Sequence, residues 1–523
     1  MAEENHIIEE LIESTAAKYP DLPAVKWIVK KELPGKTYRE FNSDRLKVAN
    51  ALLQGGFEGE QVALIGSGAY EWVASYFGIV SGKMTAVPLD PLLPEAELCD
   101  LINRSDSKAL FVSPKLEKMV ERVKKDCPQV RLFVILGDKK GQSAENEMTF
   151  SDFIQGASDA ALPPDKRPAS GDVCTIIFTS GTTGKSKGVM LTQRNLYDDV
   201  TYVRVSFGAG TTMLSVLPVH HAYCLVMDWM KGFSLGATIF INDSLLHMMR
   251  NIALVKPEIL LMVPLMIETV AKRLEAEIPA SPDESKPEIA KRILGENIKY
   301  IFSGGAHLDP SYIYALEEYG IKVCEGYGMS ECSPTISTNV STENRPGSVG
   351  KVLENMEVRF VDGELQVKGS NVMKGYYKMP KETEEAFVDG WLRTGDLGHL
   401  DSDGYLYITG RLKNLIILSN GENVSPEEVE GALLSNELVG EVVITGENNG
   451  LCARIYPDKD YVEAKALSEE DVKSALQEIL DNYNKTQPSY RAITALIVRA
   501  NPFIKNSTKK IVRAKADIDE AQE

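Results

Sequence analysis

A chain of 523 residues, 43% of them apolar, is too long for one ordinary core, so at least two domains are expected. The formal net charge of -18 argues against a non-specific grip on nucleic acid or anionic lipid, although a local basic pocket could still hold phosphates. The start Met1-Ala2-Glu3-Glu4 lacks the basic and apolar segments of a signal peptide, and no uninterrupted apolar run is long enough to span a bilayer; a cytoplasmic protein with no transmembrane segment and no nucleic-acid partner is expected.

From Gln61 onward, short apolar runs alternate with amphipathic stretches. Gln61 to Ile65, Thr85 to Leu89, Ala109 to Val112 and Arg131 to Leu136 read as buried strands. Leu116, Met119, Val120 and Val123 recur at helical spacing, which places all four on one helix face. The rhythm returns with candidate strands Thr175 to Phe178, Thr212 to Leu217, Ala237 to Ile241, Glu258 to Val263 and Lys299 to Phe302, each next to a helical pattern; this favours α/β layers with parallel sheets. After about Gly350 the texture changes. Val358 and Phe360 face Leu365 and Val367 across Asp362-Gly363, a two-residue hairpin signal. A last segment from about Arg411 mixes helices (Pro426 to Leu434, Glu469 to Leu480) with strands (Val442 to Thr445, Ala492 to Val498), compatible with a small separate domain. The seven cysteines show no Cys-x-x-Cys pair, so buried free thiols are expected rather than disulfides or a zinc site.

After the strand ending at Phe178 comes Thr179-Ser180-Gly181-Thr182-Thr183-Gly184-Lys185-Ser186-Lys187-Gly188. Glycines permit tight turns and close backbone approach, while hydroxyls, backbone N–H groups and two lysines can surround a polyphosphate. A Walker A loop is excluded, because Thr179 stands where that motif needs its first glycine. Gly66-Ser67-Gly68 is likewise no dinucleotide fingerprint, since Glu71 occupies the third glycine position; it reads as a strand-to-helix turn.

Further motifs follow in order: Leu217-Pro218-Val219-His220-His221, Ser303-Gly304-Gly305-Ala306, Tyr327-Gly328-Met329-Ser330-Glu331, Thr394-Gly395-Asp396, Gly410-Arg411-Leu412-Lys413 and Asn506-Ser507-Thr508-Lys509-Lys510-Ile511. Together with the glycine-rich loop they resemble the adenylate-forming superfamily of acyl-CoA synthetases, stand-alone adenylation domains and beetle luciferases. Gly410 to Glu430, with Ser419-Asn420-Gly421-Glu422-Asn423, looks most like fatty acyl-CoA synthetases. The likeness covers nearly the whole chain. It implies a large N-terminal domain (1–411) of two α/β subdomains plus a small β-barrel, and a small mobile α+β C-terminal domain (412–523) with its hinge near Lys413.

The resemblance also implies an ATP-dependent acid–thiol ligase that forms acyl-AMP and then acyl-CoA, from a carboxylic acid that apolar character suggests is a medium- or long-chain fatty acid. Two alternatives stay open: loading of an acyl carrier protein, and a catalytically dead nucleotide-binding regulatory protein. ATP, Mg2+ and coenzyme A are the implied cofactor and co-substrates. By the match, Thr179 to Gly184 with Lys185 and Lys187 cradle phosphates, Glu331 is the magnesium ligand and Ser330 reaches a phosphate oxygen. Asp396 and Arg411 would hold the ribose; Gly304, Gly305, Ala306, Tyr327 and Gly328 would form the adenine slot. His221 matches a gate near the acyl carboxylate, with His220 structural. Lys510 matches the lysine that bridges carboxylate and α-phosphate, though Lys509 occupies a slot usually filled by glycine and leaves open which of the two points inward. Gly421 and Glu422 match the coenzyme A tunnel, and residues around Tyr223, Cys224, Leu225 and Ser303 to Tyr327 are candidates for the acyl pocket.

Overall fold

The computed structural model describes residues 6–137, 146–179, 185–418, 423–447, 450–488, 491–505 and 511–519. Two large sheets form its framework. One has eight strands in the spatial order Gly375–Tyr376, Lys187–Thr192, Val173–Thr179, Thr85–Leu89, Gln61–Ile65, Ala109–Val112, Leu132–Ile135 and Glu147–Thr149. Its ladders are parallel from Val173–Thr179 to the Glu147–Thr149 edge and antiparallel at the other end. Val62 to Ile65 and Ala109 to Val112 are completely buried, as strands covered by helices on both faces must be. The expected strands are therefore present, and Gly66 to Gly68 does lie in the turn between Gln61–Ile65 and the helix Tyr70–Ser81.

The second sheet has nine strands, ordered Lys351–Val352, Thr335–Thr338, Lys322–Gly328, Tyr300–Ser303, Ile259–Met262, Thr212–Ser215, Thr238–Ile241, Pro23–Trp27 and Gly35–Thr37. From Thr212–Ser215 the chain steps to Thr238–Ile241 on one side, then to Ile259–Met262 on the other. Such a reversal splays the connecting loops apart and opens a crevice beyond the carboxyl ends of the strands. Those ends lead into Leu217 to His221, Val263, Gly304 and Tyr327.

Some elements differ from expectation. Leu116 does not share a helix with Met119, Val120 and Val123: Pro114 opens a separate 3-10 turn, Pro114–Leu116, and the helix proper is Met119–Asp126. Thr212 to Leu217 stops as a strand at Ser215, ahead of the ring of Pro218. All seven cysteines are buried free thiols. No helix among the described residues is long and apolar enough to cross a membrane.

The texture change after Gly350 is a five-stranded antiparallel sheet built on Met356–Val361, Glu364–Gly369, Phe387–Val388, Trp391–Leu400 and Leu406–Arg411. Val358 pairs with Val367 and Phe360 with Leu365, and Asp362 and Gly363 both take positive φ (50° and 81°), the conformation a two-residue hairpin requires. Backbone bonds tie this sheet to the nine-stranded one: Val349 N–H donates to Leu406 O and Leu406 N–H donates to Gly350 O, both at 2.9 Å. One continuous apolar core runs through all three sheets. A separate core, from Leu418 to Ile493, holds the helices Pro426–Leu434 and Glu469–Thr486 against a three-stranded sheet of Val439–Glu447, Gly450–Pro457 and Ile493–Val498.

Gly350 has φ +84°, and a Cβ there would lie 2.0 Å from the Thr338 carbonyl carbon, so only glycine lets the chain entering Lys351–Val352 pass this close to the neighbouring strand Thr335–Thr338. Gly350→Ala is expected to destabilise the large unit by more than about 2 kcal/mol, from the left-handed penalty plus the backbone clash. Urea unfolding followed by tryptophan fluorescence measures it.

Candidate active site

At the carboxyl ends of the nine-stranded sheet lies a cavity of about 700 Å³. Its polar end is assembled from all three sheets of the large unit. Tyr327 leaves the strand Lys322–Gly328 and donates its hydroxyl to Asp396 Oδ2 at 2.5 Å; Arg411 Nε reaches Asp396 Oδ1 at 2.9 Å. Asp396 and Arg411 are directly paired across the strands Trp391–Leu400 and Leu406–Arg411, which is why residues fifteen apart in sequence meet. Asp396 is buried and Arg411 half-exposed, so the guanidinium supplies charge at the rim while the carboxylate is fixed behind it. Burial, and after it the Asp396 carboxylate, push the Tyr327 hydroxyl far above its ordinary pKa, so it remains a donor.

A second cluster faces the first. Tyr376, from the short edge strand Gly375–Tyr376, donates to Glu331 Oε1 at 3.0 Å, and the Lys187 ammonium sits 4.8 Å above the centre of the Tyr376 ring. Burial raises the pKa of Glu331, while its own backbone N–H, the Tyr376 hydroxyl, Lys187 and Arg411 pull it down. A buried carboxylate with that history is short of positive charge. It fits a hard divalent cation, which takes one or two carboxylate oxygens and completes its octahedron with phosphate oxygens and water. Among the described residues no cluster of three His, Cys, Asp or Glu side chains could hold a metal unaided, so such an ion would depend on the phosphates as much as on Glu331.

The expected site residues are largely brought together. Thr179, Lys187, His221, Gly304, Gly305, Tyr327, Gly328, Ser330, Glu331, Arg411 and Lys413 line the cavity, and Asp396 stands directly behind it. Gly304 packs tightly on the acyl side, where a Cβ would meet the Tyr223 ring at 3.0 Å. At Gly328 a Cβ would be 1.8 Å from the Pro334 carbonyl oxygen. His220 is turned away from the cavity, buried with Nε2 3.6 Å from Asp90. Ala306 and Lys185 are exposed and are not among the lining residues, and Leu225 is buried in the core. Ala306 lies one residue past the sharp turn at Gly305 (φ +86°), and Leu225 sits on the sheet-facing side of its helix. Ser180, Gly181, Thr182, Thr183, Gly184, Gly421, Glu422, Lys509 and Lys510 lie outside the described residues.

The apolar end is built by the helical stretch Tyr223–Met230 and its continuation Lys231–Leu235, whose Tyr223, Met227 and Lys231 line the cavity opposite Met213, Leu261 and Val263. The Tyr223 hydroxyl donates to Phe302 O at 3.0 Å, fixing the ring beside Gly304. Tyr376 and Lys231 escaped the sequence reading. The Gly375-Tyr376-Tyr377 run carries no chemical signature, and Lys231 looks like a surface partner of Asp228 at helical spacing.

Two α/β sheets, an antiparallel sheet and a small separate unit around a cleft that offers a cationic rim, a buried carboxylate and an apolar well define a nucleotide-dependent enzyme of the adenylate-forming fold. The chain belongs to the AMP-binding enzyme family: residues 12–377 match the model of the AMP-binding enzyme and residues 413–520 that of the AMP-binding enzyme C-terminal domain. It is 29% identical over 488 residues to the long-chain-fatty-acid–CoA ligase of Bacillus subtilis, covering 84% of this chain and 83% of that one. Against the long-chain-fatty-acid–CoA ligase FadD15 of Mycobacterium bovis the identity is 28% over 433 residues, 74% of this chain and 71% of that one. Its fold matches the anthranilate CoA ligase AuaEII in complex with anthranoyl-AMP (TM-score 0.83, 21% identity, 98% and 97% of the two chains) and ATP-bound MatB from Rhodopseudomonas palustris (0.81, 23%, 99% and 100%).

Asp396→Asn removes the charge that faces Arg411 while leaving an acceptor for Tyr327. A hydrogen bond to a charged group is worth about 1.5–3 kcal/mol, so ATP affinity measured by calorimetry should fall by about 10- to 100-fold. Thermal stability should fall as well, because the amide cannot accept from both Tyr327 and Arg411 in this buried contact.

Proposed function

We propose that this chain is an ATP-dependent acid–thiol ligase: it joins a carboxylic acid to AMP with release of pyrophosphate, then passes the acyl group to the thiol of coenzyme A. The observation that carries this reading is the convergence on one cavity of the Tyr327–Asp396–Arg411 chain, the Glu331–Tyr376–Lys187 cluster and an apolar well bordered by His221. One end suits a nucleotide and the other an acyl chain. The names of the B. subtilis and M. bovis relatives, together with Met213, Leu217, Met227, Leu261 and Met266 in the wall, support a medium- or long-chain fatty acid as the substrate.

In the first half-reaction a carboxylate oxygen attacks the α-phosphorus and pyrophosphate leaves. Two unit negative charges 4 Å apart repel by about 4 kcal/mol at an effective dielectric of 20, so cations must converge on the reacting atoms. Lys187 and Arg411 stand at the nucleotide end, Thr179 and Ser330 offer hydroxyls, and Glu331 would hold Mg2+, whose charge would further offset the phosphates. In this reading Asp396 and Arg411 engage the ribose, and Gly304, Gly305, Tyr327 and Gly328 border the adenine. His221 borders the acyl carboxylate. In the second half-reaction the thiolate attacks the acyl carbonyl carbon and AMP leaves, so no covalent enzyme intermediate is needed.

The same reading assigns residues 1–411 to the nucleotide-binding domain and 412–523 to a mobile domain that turns about Lys413. Lys510 would serve adenylation; Gly421 and Glu422 would border the path of the thiol arm. Supporting a separable unit, the core from Leu418 to Ile493 is distinct from that of the large unit, and the two touch through exposed polar contacts such as Lys272 Nζ to Asp458 Oδ2 at 2.8 Å. Rotation lets one cleft perform two chemistries in turn.

Acid-dependent pyrophosphate release tests the activity, and its absence over a broad panel of acids would refute the ligase reading. Lys510→Ala should slow adenylation by about 100- to 1000-fold, the worth of a positioned charge, while leaving thioester formation from supplied acyl-AMP intact. Gly421→Leu should do the reverse. Equal loss of both half-reactions in both variants would contradict domain alternation.

A further inference from the structure

Asp228 and Lys231 are the two charged residues in the otherwise apolar stretch from Ala222 to Phe233. Helical spacing makes them look like a solvated ion pair, yet the fold turns both inward and apart. Asp228 is fully buried and accepts from Ser215 Oγ at 3.0 Å, with the Cys224 thiol 3.6 Å from the same oxygen. Lys231, only 8% exposed, extends the other way and donates to the carbonyl of Val200 at 2.7 Å, in the last turn of the helix Gln193–Tyr202.

Lys231 is also part of the cavity wall, at the end remote from the nucleotide. Tyr223, Met227 and Lys231 follow each other down one face of the same helix and all three line the cavity. Eight residues on, along a stretch wound as a π-helix, Lys231 lies on the order of 10 Å beyond Tyr223. The packing agrees: a Cβ on the adjacent Gly232 would meet Ile239 at 2.8 Å and Met213 Sδ at 3.3 Å, which puts this turn beside the beginning of the strand Thr212–Ser215 rather than its carboxyl end.

An ammonium carries three donors. Among the described residues the hydrogen-bond acceptor of Lys231 is the Val200 carbonyl, so donor capacity remains. Burial pushes its pKa down to about 8, while the charge of buried Asp199 opposes that shift. Asp199 itself is held by Thr335 and Asn371. A hydrocarbon terminus packed against this ammonium would shut the remaining donors away from any acceptor, a cost that a polar terminus avoids.

We propose that Lys231 determines specificity at the far end of the acyl cavity, and that the preferred acid carries a hydrogen-bond acceptor at the end remote from its reacting carboxyl. This rests on the reading of the cavity as an acyl site and names the class of acid more narrowly than a plain alkanoic chain. A neutral hydroxyl and a second carboxylate both supply such an acceptor.

The test measures, by calorimetry, the binding of matched alkanoic, ω-hydroxyalkanoic and α,ω-dicarboxylic acids of graded length to the full chain, to Lys231→Met and to Lys231→Arg. Acid-dependent pyrophosphate release is followed in parallel. At the length that spans the cavity, the wild type should favour one of the polar-tailed acids over the alkanoic acid by about 10-fold or more, the worth of one hydrogen bond to a charged group. Lys231→Met should reverse the order and Lys231→Arg keep it. The wild-type and arginine series decide the matter even if the methionine variant does not fold. Tighter binding of alkanoic acids by the wild type at every length would overturn the proposal. Tail selectivity without pyrophosphate release would instead sink the ligase reading and leave the cavity preference standing.

Discussion

The contact between Asp396 and its two partners holds the molecule's chemistry in one place. Tyr327 belongs to the nine-stranded sheet, Asp396 and Arg411 to the antiparallel sheet, and Arg411 is the last strand residue before the chain turns toward the small C-terminal core. A buried carboxylate is tolerable only when paired. The need to satisfy Asp396 therefore fixes how three pieces of structure meet, and it leaves a guanidinium and a phenol at fixed positions on the cleft. The Gly350 carbonyl, which accepts from Leu406 N–H, joins the same two sheets through the backbone.

Around this junction, charge and hydrophobicity are separated along one cavity. Glu331, Lys187 and Arg411 gather at the end nearest the antiparallel sheet, while methionine, leucine and valine side chains line the deeper part. Such a gradient suits a molecule with an anionic head and an apolar body, and it places the seam between them near His221. The exception to the gradient is Lys231. Its ammonium is held by the Val200 carbonyl and lines the cavity, where an acceptor on the acid's tail would meet its remaining donors.

The division into a large unit and a small one follows from packing rather than from any linker in the sequence. The small unit has its own apolar core because the strands from Val439 onward bury their inner faces against the helices Pro426–Leu434 and Glu469–Thr486, not against the large sheets. What joins the units is polar and partly wet: Lys272 with Asp458, and Ser425 Oγ donating to Thr409 O at 2.9 Å. Interfaces of that kind are individually worth little and separate readily, which suits a reaction performed in two stages.

The sequence by itself determined the strands and much of the site. Gln61–Ile65 and Ala109–Val112 are unbroken apolar runs, the Asp362-Gly363 turn admits one hairpin register, and motifs such as Tyr327 to Glu331 carry their chemistry in adjacent residues. These signals are local, set by backbone sterics and by the period of burial. Tertiary structure alone decided that Tyr376 would cap Glu331, that Leu225 would point into the core while Met227 lined the cavity, and that Lys231 would leave Asp228 for a carbonyl on another helix. Those outcomes depend on which elements pack together, and the free energy that chooses among packings is spread over contacts between residues far apart in the chain, where no window of sequence can display it.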